Sequence, residues 1–219
     1  MEGTTKFTIH RALSLVKTTQ DRLDKKINSK EMFICLRRSA DEDINGEPIA
    51  IVENRIKSNY DSIMSLFNNL VTLKCAIMRS NAGIRENTEV KIAATVYGRE
   101  MTVAEIIQYK ELLKYKTKLL NVLENAWVKH VTAIENAKAQ LEKSSLEYLK
   151  NAAIDEKSKN ADSIMKIFKN ENEPVSVNPL DLKTKIDALE KEIEDTLFKI
   201  DATLSEDNAL TTISVDLQK

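Results

Sequence analysis

The residues best suited to ion chemistry form an acidic segment near position 43. Asp41, Asp43 and Asn45 match the spacing of the first half of a calcium-binding loop. In such a loop the twelfth position holds an acid that binds the ion through both oxygens, but that position is Val52 here. Glu53 follows one residue late, which would turn its carboxylate away from the ion. We therefore predict a solvated acidic turn, with calcium binding as the less favoured alternative, and no cofactor.

Side chains that could act in acid–base or nucleophilic catalysis are few and scattered. The chain has two histidines, His10 and His130, and two cysteines, Cys35 and Cys75. Neither histidine has a ligand-type partner one helical turn away, and no histidine adjoins a cysteine. The glycines are too dispersed for a phosphate-binding loop. The sequence therefore predicts no enzyme, with His130 and both thiols packed, although a catalytic group assembled from distant residues stays open.

Long helices are predicted to position these side chains, because residues that break helices are rare. Only four glycines and three prolines occur in 219 residues, and none lies between Arg99 and Glu173. Within that interval, apolar residues recur every seven positions, which is typical of helices that pack along one face. The members of this seam are Ile106, Leu113, Leu120, Trp127, Ile134, Leu141 and Tyr148.

Start and stop signals divide the chain into helices and short strands. Thr102 to Glu105 forms a capping box, Gly83 should end the preceding helix, and Asn178 with Pro179 should begin the last one. The predicted helices cover residues 8–29, 49–81, 102–157 and 179–204, and the predicted strands cover 32–37, 90–101 and 209–217. We expect a mainly α fold: one elongated domain, residues 1–219, built as an antiparallel helical bundle or coiled coil with a small β-hairpin.

Charge and hydropathy narrow the possible partners. The chain has 34 acidic and 33 basic residues, so no net positive field attracts nucleic acid. No apolar window is long enough for a membrane span, and the first ten residues lack the pattern of a secretory signal. We therefore expect neither nucleic acid nor membrane as a partner, and a cytoplasmic location.

Two stretches carry a resemblance to known proteins. One combines Ser80-Asn81-Ala82 with Gly98 to Glu105, and the other runs from Asn178 to Ile213. These stretches resemble a family of uncharacterised helical proteins from bacteriophages and bacteria, some of which carry the label septicolysin. The acidic insert from Asp41 to Pro48 departs from the pattern of that family. The resemblance implies a phage-related context, in the bacterial cytoplasm or the virion, and it transfers no catalytic residues.

The sequence favours a non-enzymatic structural or assembly protein, such as a virion or virion-associated component. The long seam exceeds what the shorter neighbouring helices can cover, and monomeric proteins seldom expose large apolar patches. We expect Trp127, Ile134, Leu141 and Tyr148 to contact a second copy of the chain, or other virion or host proteins. One alternative is a phage-encoded regulator that binds a host protein or small ligand. Another is a pore-forming protein, which the charges in the predicted hairpin disfavour.

Overall fold

The fold is mainly α-helical, with three small antiparallel sheets of two strands each among the residues that the structure describes. The structure is a computed structural model that describes residues 6–29, 31–84, 91–96, 98–151, 159–212 and 214. The helices are α1 (Ile9–Ile27), α2 (Ile49–Asn81), α3 (Val103–Asn151), α4 (Lys159–Asn172) and α5 (Leu182–Leu210). The strands are β1 (Cys35–Arg38), β2 (Asp43–Ile44), β3 (Glu47–Pro48), β4 (Ala94–Val96), β5 (Arg99–Met101) and β6 (Pro174–Val177).

The ends of α2 and α3 confirm the local signals in the sequence. At the start of α3, Thr102 N–H donates to Glu105 Oε2 at 2.9 Å and Glu105 N–H donates to Thr102 Oγ1 at 3.3 Å, which completes the capping box. At the end of α2, Gly83 has a φ of +70°, a conformation that favours glycine. Ile84 N–H then donates to Arg79 O at 3.0 Å, so the helix closes in a Schellman motif.

The sheets confirm one predicted hairpin and add pairings that the sequence reading missed. The pair β4–β5 forms the predicted hairpin, although it is shorter than residues 90–101, and Val90 lies outside the described residues. The pair β2–β3 turns through Asn45 and Gly46, whose φ values of +54° and +81° fit a tight hairpin turn. Strand β1 pairs antiparallel with β6, which places Leu36 opposite Ser176.

Several predicted boundaries were wrong. The sequence reading placed no helix at α4, and residues 152–157 of the predicted third helix lie outside the described residues. Helix α5 begins at Leu182, not residue 179, because residues 178–181 form a turn in which Asp181 N–H donates to Asn178 O. The predicted strand 209–217 is wrong at Ala209 and Leu210, which are helical, since no glycine or proline ends α5 earlier. Residues 213 and 215–217 lie outside the described part.

The chain divides into two compact units. The first unit comprises Met1–Ser29, Ile63–Leu120 and Asp187–Lys219, and the second comprises Lys30–Ser62 and Asn121–Ile186. The prediction of one elongated domain stays a prediction.

The first unit has a densely buried core. Phe67 of α2 meets Tyr109 of α3 edge to face, with ring centroids 6.1 Å apart, and both side chains are at most 2% exposed. Arg79 near the end of α2 binds Glu105 near the start of α3, so these two helices run antiparallel within this unit. Other core residues are Leu23, Ile27, Leu70, Ile106, Leu112, Leu119 and Ile200. Burying each large apolar side chain contributes about 1.5–3 kcal/mol.

The second unit buries fewer residues of α3 than the first unit does. Its core includes Phe33, Val52, Ile56, Leu123, Leu149, Ala161, Val177 and Leu182. Strand β6 lies near α3, because His130 Nε2 is 2.9 Å from Ser176 Oγ. Helices α3 and α4 also meet, through stacked rings of Tyr148 and Phe168 with centroids 4.8 Å apart. The contacts of α3 with α4 and with strand β6, which pairs with β1, position the side chains of the candidate site.

Candidate functional site

The predicted seam on α3 starts in a core and ends at the surface. Ile106 and Leu113 are at most 3% exposed, whereas Tyr148 is 46% exposed. Residues seven apart on a straight α-helix differ by about 20° around its axis, so six heptads turn through about 120°. A strict heptad seam therefore leaves the buried face unless the helices supercoil.

Four residues of this seam lie in the second unit and were predicted to form an interface. We call Trp127, Ile134, Leu141 and Tyr148 the distal seam. The first three are half-buried and Tyr148 is exposed, so each presents apolar surface to solvent in the chain as described. Ile167 of α4, next to the Phe168 ring that stacks on Tyr148, is 59% exposed. The distal seam thus has the exposure that an interface requires, and its role as an interface stays a prediction.

A cleft of about 460 Å³ lies beside the distal seam, between β1, α3 and α4. Its apolar lining includes Leu36, Leu141, Phe168 and Pro174. A second hollow of about 420 Å³ shares Leu141 and Pro174 with it. Leu141 is therefore the one distal-seam residue among the linings of these two hollows. The sequence reading missed the cleft because β1 is far from α3 and α4 along the chain and because α4 itself was not predicted.

Charged side chains line the cleft in a fixed arrangement. Arg38 donates from Nε and Nη2 to the carboxylate of Asp41, with a shortest distance of 2.8 Å. These hydrogen bonds, together with one from the Arg38 backbone N–H, lower the pKa of Asp41. Arg37 donates from Nη1 to the carbonyl oxygens of Arg38 and Ser39 at 2.8 Å and of Asp41 at 3.1 Å. Arg37 is thereby held in place by the backbone.

The three weak metal candidates have separate structural roles. Asp41 is bound by Arg38, Asp43 pairs with Pro48 in the β2–β3 hairpin, and Asn45 occupies its turn. Across the described ranges, no group of three or more His, Cys, Asp or Glu side chains is arranged to hold a metal ion. The Asn45-Gly46 dipeptide was the available signal for this hairpin, because both residues tolerate a positive φ.

Within the described ranges, the contact between His130 and Ser176 resembles part of a catalytic group. Burial lowers the pKa of His130, so a neutral ring could accept the Ser176 hydroxyl proton across the 2.9 Å contact. The other partner of His130 in the described chain is the Trp127 ring, 6.4 Å away, so no described carboxylate orients the imidazole. Neither His130 nor Ser176 lines either hollow. We interpret the pair as a structural link between α3 and β6.

The two cysteines are poorly suited to nucleophilic chemistry. Burial, with the nearby charge of Glu105, raises the pKa of Cys75 to about 11, and burial also raises the pKa of Cys35. Both thiols are free, half-buried and protonated at neutral pH. Cys75 belongs to the first unit and Cys35 to the second, and we interpret both as packing side chains.

Comparison with known proteins adds no assignment. None of the helices in the described ranges combines the length and apolar character needed to cross a membrane. The resemblance to the family that includes septicolysin-labelled proteins stays a prediction. The chain matches no protein-family model, no curated protein and no solved structure.

Proposed function

We propose that this protein acts by association with other protein chains and that the distal seam is its contact surface. The supporting observation is the exposure of that seam: Tyr148 is 46% exposed and the other three members are half-buried. Aromatic side chains are enriched at the centres of protein interfaces, and this surface offers Trp127 and Tyr148. The partner that we propose is a second copy of the same chain.

The spacing of the seam favours a helical partner. Side chains that recur every seven residues along α3 match the same spacing on another copy of α3, so each could pack between its counterparts. A two-fold axis through such a contact would bring the same surface of both copies together and close the assembly at a dimer.

The charge balance also permits close approach of two copies. The formal net charge is −1, so two chains repel each other only weakly at physiological ionic strength. Beside the seam, Lys169 Nζ donates to Glu142 Oε2 at 2.6 Å, which leaves no unbalanced charge at that point.

Sedimentation equilibrium at micromolar concentration tests the proposal. We expect the wild-type protein to form a species heavier than the single chain of 24.8 kDa. Tyr148→Lys should weaken this association and shift the population towards the single chain. The matched control is Leu13→Lys on α1, because Leu13 is 52% exposed and belongs to the first unit. A wild-type protein that sediments only at 24.8 kDa would overturn the proposal, and so would equal effects of the two substitutions.

The proposed setting is a phage particle or an infected bacterial cell, and it depends on the family resemblance of residues 80–82, 98–105 and 178–213. Mass spectrometry of purified particles would test it. A virion component should be present at a fixed ratio to the major particle proteins, whereas a contaminant would disappear on further purification.

A further inference from the structure

We infer that the cleft beside the distal seam binds a small amphipathic anion, such as an aromatic or branched carboxylate. This ligand site goes beyond the proposed self-association and does not depend on it. It requires a fixed cation, an apolar surface and a cavity of suitable size, and the second unit has all three.

Arg37 supplies the cation. Three backbone carbonyl oxygens hold its Nη1 at 2.8–3.1 Å, so the side chain is fixed before any ligand arrives. Its Nε and Nη2 groups have no hydrogen-bond partner in the described part of the chain. A guanidinium with two unused donor groups is suited to a planar carboxylate, which it can bind through parallel hydrogen bonds.

The neighbouring charges leave that cation unbalanced. Arg38 and Asp41, which also line the cleft, form an ion pair with each other. The adjacent hollow is lined by two acidic and two basic side chains, of which Glu142 and Lys169 form an ion pair. The surplus positive charge is therefore that of Arg37, and an anion complements it.

The rest of the cleft suits an apolar body. Leu36, Leu141, Phe168 and Pro174 provide aliphatic and aromatic surface beside the cation. The volume of about 460 Å³ falls within the range of about 300–1,000 Å³ that small-molecule sites occupy. A small inorganic anion would leave this apolar surface wet, whereas an amphipathic anion uses both parts of the cleft.

Fluorescence titration of the full chain with 8-anilinonaphthalene-1-sulfonate tests the inference, with neutral N-phenyl-1-naphthylamine as the uncharged probe. Arg37→Met keeps side-chain length but removes the charge, and it should weaken binding of the anionic probe roughly tenfold or more. The same substitution should change binding of the neutral probe much less. Ser144→Phe, which fills the cleft from α3 without changing its charge, should weaken binding of both probes.

The matched control is Arg55→Met, because Arg55 lies in the same unit, pairs with Glu47 and does not line the cleft. Circular dichroism shows whether each variant is folded. If Arg37→Met does not fold, Ser144→Phe still tests the inference. Equal weakening by Arg37→Met and Arg55→Met would overturn the inference, as would unchanged binding to folded Ser144→Phe. Loss of probe binding as protein concentration rises through the dimerisation range would also overturn it and assign the cleft to a second copy.

Discussion

Helix α3 is buried to different extents in the two units. In the first unit, α3 buries residues from Ile106 to Leu119 on a broad face, including Tyr109, Leu112 and Tyr115, all at most 4% exposed. In the second unit, the buried residues of α3 are spaced further apart and comprise Leu123, His130, Ser145 and Leu149. The first unit therefore uses α3 as a core element, and the second leaves apolar surface beside a cleft.

This difference should separate residues that mainly stabilise the fold from residues that keep apolar surface exposed. A densely packed region holds each side chain in one arrangement, and its residues respond strongly to truncation. A region with half-buried apolar residues loses less when one of them is removed, but it keeps surface available for a partner or ligand. The two regions should therefore differ first in how substitutions change the free energy of unfolding.

The largest expected effect compares two aromatic residues, one from each unit. Phe67→Ala should lower the free energy of unfolding by roughly 3–5 kcal/mol, because Phe67 is 2% exposed and packs on Tyr109. Trp127→Ala should cost less than half as much in the monomeric chain, since Trp127 is half-buried. Urea denaturation of dilute protein, at a concentration where sedimentation detects only the 24.8 kDa chain, measures both. Equal losses would show that the distal seam is as tightly packed as the first core.

The next effect concerns a buried carboxylate of the first unit. Burial by itself raises the pKa of Glu105, but hydrogen bonds from Arg79 and Thr102 and the charge of Arg79 outweigh it, so the pKa lies below its ordinary 4.5. A lowered pKa stabilises the fold above 4.5, and that stability is lost as the pH falls through the folded-state value. Glu105→Gln should cost roughly 1–3 kcal/mol at pH 7 and remove this acid dependence.

Urea denaturation between pH 7 and pH 3 measures the effect of Glu105→Gln. Glu190→Gln is the control, because Glu190 is exposed on α5. If both variants keep the same slope of unfolding free energy against pH, Glu105 does not carry the acid dependence.

A smaller effect is expected at His130 in the second unit. Burial lowers its pKa below the ordinary 6.5, so the unfolded chain binds the proton more readily. Stability is therefore complete above pH 6.5 and decreases as the pH falls towards the folded-state pKa. His130→Asn should remove this slope and cost about 1 kcal/mol through the altered contact with Ser176. Thermal unfolding of the wild-type protein and of His130→Asn between pH 5 and pH 8 would measure how stability depends on pH. The same dependence in both proteins would contradict its assignment to His130.

The smallest effect is expected at Lys116 in the first unit. Burial lowers the pKa of Lys116 and outweighs the hydrogen bond and charge of Glu192, with which it is paired. Lys116→Met removes the cost of burying an ammonium group, and the Glu192 carboxylate that loses its partner is 25% exposed and can bind water, so the unfolding free energy should change by about 1 kcal/mol or less. A loss above about 3 kcal/mol in urea denaturation would show that the charge is needed there. Lys110→Met, at an exposed pair with Asp201, is the control.

The sequence by itself determined four of the five described helices, all except α4, and several of their ends. The capping box at Thr102 and the stop at Gly83 act within four or five residues, so the local sequence contains all the groups that form them. The rarity of glycine and proline likewise predicted one uninterrupted helix from Val103 to Asn151. Even β6 had a local signal, because Val175 and Val177 alternate with Ser176 after Pro174.

Only the tertiary structure decided which face of those helices is buried and what lies beside it. The heptad pattern predicted which residues form the seam. Because a seven-residue repeat drifts around a straight helix, the seam moves from the buried face at Ile106 to the exposed face at Tyr148. The cleft depends on Arg37, Leu141 and Phe168, which belong to three different elements and lie more than twenty positions apart along the chain. No spacing rule connects such residues, because their proximity follows from the packing of whole helices and from the β1–β6 pairing.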